Sequence, residues 1–292
     1  NWFWKYKGNN PFGKAIIWVA EEKKEIVATF SIIPLNYKIN GETVKGSCSI
    51  AMIVHPSYQN KGLIKFVADK LFEDAKLNKI KFIYGYPNEN AYQIHKNFFS
   101  YEDISLQKMF YKKIKKKNNF NSNIDSFDFI EINKFPKNIN EFLSQAGKQH
   151  KVYLQRNLKF LNWRYFERPD YKYKVFVVKN NKKLLGYFVL KIYREDKIIR
   201  GHIIDCFYDK RSNIFGEIVN FCEKYFIKKK CNEMTMWLQG DDKANKILKR
   251  MHFSILSKRP MICKFLDFDK SKKKYLNNKY WYFTMGDTLE IY

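Results

Sequence analysis

Arginine is scarce in this sequence. Only eight of the 55 basic residues are arginines, the first of them Arg156, and the 29 acidic residues leave a net charge of +26. A charge of this size usually indicates a nucleic-acid or anionic-membrane partner. Recognition of phosphates and bases, however, favours the bidentate arginine side chain. The lysine excess, beside abundant Asn, Ile, Tyr and Phe, is more typical of AT-rich coding sequence, so nucleic acid is a disfavoured but open partner.

Long apolar runs and paired metal ligands are absent as well. No run of 18 apolar residues occurs, which excludes a transmembrane helix, and the first residues show no signal-peptide stretch. The five cysteines lack C-x-x-C spacing and the five histidines lack H-x-x-x-H spacing. We therefore predict no disulfide framework, no metal site, no membrane insertion and a reducing, cytoplasmic location.

The remaining composition predicts a globular protein. With 45% hydrophobic and 18% aromatic residues, the chain can bury a core, and 292 residues allow one large domain or two ordinary ones.

An internal repeat favours two related halves. Trp4-Lys5-Tyr6 recurs as Trp163-Arg164-Tyr165, and each copy is followed by two predicted strands joined by a charged turn. A third strand, a helix, a strand and a second helix follow in both copies. The predicted repeat unit is therefore β-β-β-α-β-α, with further strands at its end.

The join between the halves is predicted at a lysine-rich linker from Lys112 to Ser126, which gives domains at 1–115 and 116–292. In the second half, nearly forty residues (124–161) lie before Trp163-Arg164-Tyr165, and they include predicted helices at 139–146 and 152–161. Only three residues lie before Trp4-Lys5-Tyr6 in the first half. We expect that a longer coding sequence would restore a strand and one or two helices before residue 1.

The segment from Met52 to Ile64 carries the strongest functional signal. It is predicted to form a strand, a tight turn and the start of an amphipathic helix. Free backbone N–H groups at such a helix start bind anions such as a pyrophosphate. Gly62 permits close backbone approach, and Lys61 adds a positive charge.

This segment resembles the GNAT acyltransferase superfamily, whose signature is [QR]-x-x-G-x-[GA]. Gln59 and Gly62 match the signature, and Ile64 departs from it. A second landmark, Tyr84 to Ala91, also fits, and the whole chain is similar to tandem GNAT-like proteins found with polysaccharide or cell-surface genes. The resemblance implies an α/β (α+β) fold of two mixed, mostly antiparallel sheets flanked by helices, in tandem.

The resemblance also implies acetyl-CoA as co-substrate, bound in the first half. The second copy of the turn, Tyr208 to Gly216, lacks the signature spacing and carries an aspartate. The implied cofactor-binding residues are Ile53, Val54, Gln59, Asn60, Lys61, Gly62, Leu63, Ile64, Asn88 and Asn90.

Catalytic residues are less well indicated. His95, or Tyr92 one turn earlier, occupies the position where the family often has a tyrosine that protonates the leaving thiolate, but a partly exposed helix histidine is an equal alternative. Ser49 and Ala51 leave the third strand without a carboxylate base. Asp205 in the second copy is either that base or a buried structural residue, and a water chain is a further alternative.

Three other residues allow two interpretations each. Trp163 and Tyr165 are expected in the core, and Arg164 is a candidate for anion binding. Asp287 is either a ligand of the acceptor or a turn residue after Gly286.

Three functions fit these patterns. The first is transfer of acetyl from acetyl-CoA to a primary amine, with an amino sugar or its nucleotide conjugate as acceptor by family analogy. The second is a Fem-like aminoacyl transferase that uses aminoacyl-tRNA, and the third is a non-catalytic CoA-binding protein.

Overall fold

The computed structural model of the protein describes residues 2–8, 10–115 and 127–289. Of the predicted linker, Lys116 to Ser126 lie outside these residues. Within them the chain alternates strands with short helices. The strands are β1 (Ile16–Glu22), β2 (Glu25–Ile39), β3 (Glu42–Val54), β4 (Phe82–Gly85), β5 (Glu102–Lys113), β6 (Asp128–Ile132), β7 (Val152–Leu154), β8 (Lys174–Asn180), β9 (Lys183–Glu195), β10 (Ile198–Tyr208), β11 (Glu233–Gln239), β12 (Ser254–Phe265) and β13 (Trp281–Thr284). The helices are α1 (Leu63–Leu77), α2 (Glu89–Phe99), α3 (Ile139–Gly147), α4 (Leu158–Tyr165), α5 (Phe215–Lys228), α6 (Asp242–Arg250) and α7 (Lys270–Lys273).

The chain forms two compact units. Unit 1 comprises residues 1–106 and 259–278, and unit 2 comprises residues 107–258 and 279–292. The boundary thus differs from the predicted division at residue 115, because residues 262–265 of β12 pair with β4 in unit 1. Lys112 and Lys113, predicted as linker, belong to β5 and pair with Met234 and Glu233 of β11.

Unit 1 is a mixed sheet with helices packed on it. Strands β1, β2 and β3 pair antiparallel, β3 and β4 pair parallel, and β4 and β12 pair antiparallel. The apolar stripe of α1, which includes Val67, Leu71 and Ala75, packs with Phe30 of β2 and Phe99 of α2 in one core. This stripe was predicted from its i, i+3, i+4 spacing.

Unit 2 repeats this order of pairing. Strands β6, β8, β9 and β10 pair antiparallel, β10 and β11 pair parallel, and β11 and β5 pair antiparallel. The mixed α/β fold class is confirmed, and the predicted element order β-β-β-α-β-α occurs in both halves.

One predicted helix is wrong in its first part. Residues 152–154 form β7, which pairs parallel with Trp281 and Tyr282 of β13, and the helix begins only at Leu158. The apolar run V-Y-L is short enough to fit either structure, and its pairing with β13 decides between them. Helix α3 agrees with the prediction.

Candidate functional site

Strand β3 separates from its neighbour β4 halfway along its length. The parallel pairing joins Gly46, Ser47 and Cys48 to Phe82, Ile83 and Tyr84, whereas β3 continues to Val54. A gap therefore opens between the carboxyl ends of the two strands.

A β-bulge lies in β3 beside this gap. Ile50 pairs with Ser31 and Ile53 pairs with Thr29, so Ala51 and Met52 together face the single residue Phe30 of β2. Ala51 has a φ of 48°, a left-handed conformation that is uncommon for alanine. The sequence does not predict this bulge, because the run S-I-A-M contains no glycine to signal it.

The turn after β3 is held by its own side chains. His55 accepts a hydrogen bond from the N–H of Ser57 (3.3 Å), and the Gln59 side chain donates to the carbonyl of Val54 (3.2 Å). Asn60 and Gly62 have φ values of 62° and 73°. A Cβ added to Gly62 would meet nothing within 4 Å, so glycine is favoured there by its backbone angle and not by lack of space.

Helix α1 begins directly at this turn. The N–H of Lys65 donates to the carbonyl of Gly62 (3.0 Å), which closes the first turn. The N–H groups of Leu63 and Ile64 precede that bond, so the helix itself offers them no acceptor. They lie at the positive end of the helix dipole, where an anion is stabilised.

A cleft of about 580 Å³ joins the strand, the turn and the second helix. Its walls come from the end of β3, the turn with the first residues of α1, and one face of α2. The lining residues are Met52, Val54, Tyr58, Gln59, Asn60, Gly62, Leu63, Ile64, Lys65, Asn88, Asn90, Ala91, Ile94 and Phe98.

Most of the predicted cofactor-binding residues meet in this cleft. Ile53 and Lys61 are the two predicted positions that do not line it. The Ile53 side chain is 60% exposed, and Lys61 Nζ lies over the Tyr58 ring at 5.2 Å. Ile64, which departs from the family signature, packs against the core of unit 1 while lining the cleft.

Asn88 and Asn90 enter the cleft from the start of α2. Asn88 is the N-cap of this helix, and its side-chain oxygen accepts a hydrogen bond from the N–H of Ala91 (2.9 Å). Its amide NH₂ group remains as a donor toward a ligand.

His95 lies in the core of unit 1 and not among the residues that line the cleft. It is 4% exposed and is surrounded by the rings of Phe30, Phe99 and Tyr101. Its Nδ1 lies 2.6 Å from the carbonyl oxygen of Ala91. Burial lowers the pKa of His95 below its ordinary value, and these contacts favour a structural role.

Tyr92 points away from the cleft lining toward Asp103. Its hydroxyl donates to Asp103 (2.8 Å), a hydrogen bond that raises the pKa of the tyrosine, and Lys96 binds the other oxygen of the same carboxylate (2.7 Å).

Asp205 is the centre of a buried polar cluster in unit 2. Arg156 binds it through two nitrogens (3.2 and 3.1 Å), and the hydroxyls of Tyr165 (2.8 Å) and Tyr187 (2.7 Å) donate to it. Arg156 also binds Asp287 (2.8 Å). Burial opposes ionisation of Asp205, but the Arg156 charge outweighs burial and lowers its pKa. The structural interpretation of Asp205 and Asp287 fits these contacts.

Arg164 is also used inside the fold. It is fully buried and donates to the carbonyls of Gly286 (3.3 Å) and Thr288 (3.4 Å) and to the hydroxyl of Tyr173 (3.1 Å). Trp163 is buried in the core, as expected.

Unit 2 has the corresponding strand gap, but its own chain fills it. Pairing of β10 with β11 ends at Ile203 and Met236, and the register of β10 shifts just beyond, as that of β3 does. Strand β13 then pairs with the end of β11 through Thr284 and Phe283. The Tyr282 hydroxyl donates to the carbonyl of Cys206 on β10. The strand gap that is open in unit 1 is therefore bridged by β13 in unit 2.

Among the residues that the structure describes, no group of three or more His, Cys, Asp or Glu side chains is placed to hold a metal ion. In the same part of the chain, no helix is long and apolar enough to cross a membrane.

Comparison with known proteins supports the architecture. Residues 3–98 match the family model of the acetyltransferase (GNAT) domain. A GCN5-related N-acetyltransferase from Anabaena variabilis superposes with a TM-score of 0.68 at 13% identity, over 89% of this chain and 64% of that protein. One from Kribbella flavida gives 0.59 at 11% identity, over 84% and 58%. N-myristoyltransferase from Saccharomyces cerevisiae, with bound myristoyl-CoA, gives 0.57 at 11% identity, over 84% and 69%.

The family match covers residues 3–98, and over most of its length the chain has the fold of these solved structures. The chain spans less than two thirds of the length of the two bacterial proteins above. No curated protein is similar enough in sequence to count as a relative.

Proposed function

We propose that this chain is an acyltransferase that moves an acyl group from acyl-CoA to the primary amine of a small molecule. The observation that carries the proposal is the open cleft of unit 1, which combines a strand gap, a β-bulge and the anion-binding start of α1. Acetyl is the proposed acyl group, and an amino sugar or its nucleotide conjugate is the proposed acceptor.

The binding mode follows from the position of each feature. The pyrophosphate of CoA lies at the N–H groups of Leu63 and Ile64, and the pantetheine arm runs between the ends of β3 and β4. Asn88 and Asn90 donate hydrogen bonds to the amides of that arm. The thioester then lies at the bulge, where Ala51 and Met52 have no pairing partner in β2.

The bulge supplies the electrostatic part of the chemistry. A backbone N–H at Ala51 or Met52 polarises the thioester carbonyl and stabilises the negative charge that forms when the amine attacks. Ile53 and Val54, which the family resemblance implies as cofactor-binding residues, both pair with β2, so we place the polarising N–H at the bulge and not at these two positions.

Proton transfer in the proposal depends on water. Among the described residues, none of the side chains that line the cleft is a carboxylate or a histidine. We propose that a water molecule removes the proton of the attacking amine and that the expelled thiolate takes its proton from solvent. The predicted catalytic roles of His95, Tyr92 and Asp205 stay predictions.

The proposed location of the protein is a reducing compartment, as in the cytoplasm. All five cysteines are buried and free of disulfides in the described structure, which supports this choice.

Isothermal titration with acetyl-CoA tests the binding step. Wild type is expected to bind with micromolar affinity, and Gly62→Glu is expected to abolish binding because it places a negative charge at the pyrophosphate. Arg211→Gln, in the corresponding turn of unit 2, lowers the net charge by the same one unit and is expected to leave binding unchanged. A wild-type protein that binds no acetyl-CoA would refute the proposal.

Two further measurements separate the remaining hypotheses. Salt-sensitive binding of tRNA, without binding of acetyl-CoA, would favour the aminoacyl transferase. Thiol release from acetyl-CoA with a panel of amines, amino sugars included, separates an enzyme from a protein that only binds CoA.

A further inference from the structure

We infer that Phe98 is the platform on which the adenine ring of acyl-CoA stacks. This inference rests on the proposed function, and it assigns the adenine of the same ligand to the part of the same cleft that Phe98 lines.

The first observation is a line of residues along α2. Asn90, Ile94 and Phe98 are spaced four residues apart, so they lie on one face of the helix, and all three line the cleft. Asn90 lies in the first turn of α2, five residues after Gly85, where β4 ends. Phe98 lies about 12 Å farther along the helix, at a rise of about 1.5 Å per residue.

The second observation is the exposure of the Phe98 ring. The side chain is 63% exposed, whereas Phe99, its neighbour in the chain, is 2% exposed and belongs to the core. A phenylalanine on the wall of a cleft that is open to solvent lacks the apolar cover that its neighbours have.

The third observation is that the start of α1 lines the same cleft. Leu63, Ile64 and Lys65, which begin α1, line the same cleft as Phe98. We place the pyrophosphate on the N–H groups of Leu63 and Ile64, so that the two ends of the ligand lie against the cleft-lining face of α2. One end enters the strand gap beside Asn90, and the other passes toward Phe98.

The chemistry of CoA decides which end meets Phe98. The pantetheine arm and the acetyl group have no aromatic face, whereas adenine has one and stacks on aromatic side chains without demanding particular hydrogen bonds. Lys65, which lines the same cleft and pairs with Asp69 (2.9 Å), is a cation that suits the 3′-phosphate of the same nucleotide.

Titration of the ligand in pieces tests the inference. Wild type and Phe98→Ala are titrated with CoA, with 3′-dephospho-CoA and with 4′-phosphopantetheine. We expect Phe98→Ala to weaken binding of CoA and of 3′-dephospho-CoA about tenfold, by loss of one stacked base. The affinity for 4′-phosphopantetheine, which has no base, should stay unchanged.

Phe66→Ala is the matched control, because Phe66 is also 63% exposed but lies on α1 away from the cleft lining. It should bind all three ligands as wild type does. Phe98→Trp should keep the affinity for CoA, whereas Phe98→Leu, apolar but not aromatic, should resemble Phe98→Ala.

The outcomes distinguish this inference from the proposed function. If wild type binds CoA and Phe98→Ala binds it equally well, the adenine platform is wrong and the proposed function stands. Equal losses for CoA and 4′-phosphopantetheine would also overturn the platform, because the ring would then contact the arm. If wild type binds none of the three ligands, the proposed function itself fails.

Discussion

At Gly62 the constraint is conformational and not steric. The residue has a φ of 73° with open space where a Cβ would stand, so alanine would fit but would strain the backbone. Ile64 shows the opposite case. A large residue is accepted at the family's glycine or alanine position because its side chain packs on the core while its N–H stays at the helix start.

A variant of His95 can show whether this residue has a structural or a catalytic role. Its ring packs edge-on against Phe30, Phe99 and Tyr101, so His95→Phe should preserve the packing. We expect thiol release by this variant to stay within about twofold of wild type. A general acid contributes about 10²- to 10⁴-fold, so a loss of that size would restore the catalytic prediction. Equal thermal unfolding of both proteins is the control.

Asp287 predicts a pH dependence of stability. Burial raises its pKa to about 6, above the ordinary value of 3.8. Between pH 4 and pH 6 the unfolded chain therefore releases this proton first, and the contribution of Asp287 to folding stability is lost as the pH rises. Asp205 acts in the opposite direction at lower pH, because Arg156 lowers its pKa.

Asp287→Asn removes that titration. Measured by urea unfolding, its free energy of unfolding relative to wild type should rise from pH 4 to pH 6 by up to about 1.4 kcal/mol per pH unit. A difference that stays constant across this range would contradict the assignment of the raised pKa to Asp287.

Among the strands, each unit has a gap between two parallel neighbours, and the gap is open in unit 1 and closed in unit 2. In unit 1 the gap beyond Cys48 and Tyr84 continues into the cleft. In unit 2 the corresponding gap beyond Ile203 and Met236 is bridged by β13, which pairs with β11 and bonds to β10. Edge backbone groups that a ligand would satisfy in unit 1 are satisfied by the chain itself in unit 2.

This difference predicts one CoA site per chain. Titration calorimetry or equilibrium dialysis should give a stoichiometry close to one, and Gly62→Glu should remove all of the binding. A second class of sites that survives Gly62→Glu would show that β13 does not close the slot of unit 2.

Elements also show where sequence patterns are ambiguous. The amphipathic stripe of α1 is long and periodic, so its helix could be predicted with its buried residues. Residues 152–154 are too few to show a period, and only the partner strand β13 makes them a strand. Lys112 and Lys113 likewise read as linker because pairing with β11 is not visible in their composition.

For the whole molecule, the net charge of +26 comes mostly from lysines that do not line the candidate site. In the proposed binding mode the site relies on backbone N–H groups of the α1 start, and Lys65 is the one cation that the described residues place in the cleft lining. The charge therefore does not have to attract the ligand through many lysines.

The salt dependence of binding distinguishes a ligand held by the α1 start from a ligand held by many surface lysines. Raising NaCl from 50 to 200 mM should weaken acetyl-CoA binding by less than about tenfold, because few cations contact it. Any tRNA binding that rests on many lysine–phosphate contacts should fall by about 10³-fold or more over the same range. Equal losses for both ligands would show that the lysine surface, and not the turn, binds CoA.

The repeated order of elements and the strand, turn and helix around Gly62 could be predicted from the sequence alone, because these depend on local periodicity and turn chemistry. The sequence did not reveal the β-bulge at Ala51, the burial of His95 or the cluster around Asp205. Only the tertiary structure decided those, since each depends on partners distant in the chain: the register of β2, the rings around α2, and Arg156 beside the C-terminal Asp287. The open slot in unit 1 and the bridged slot in unit 2 are likewise set by strand pairing over long sequence separations.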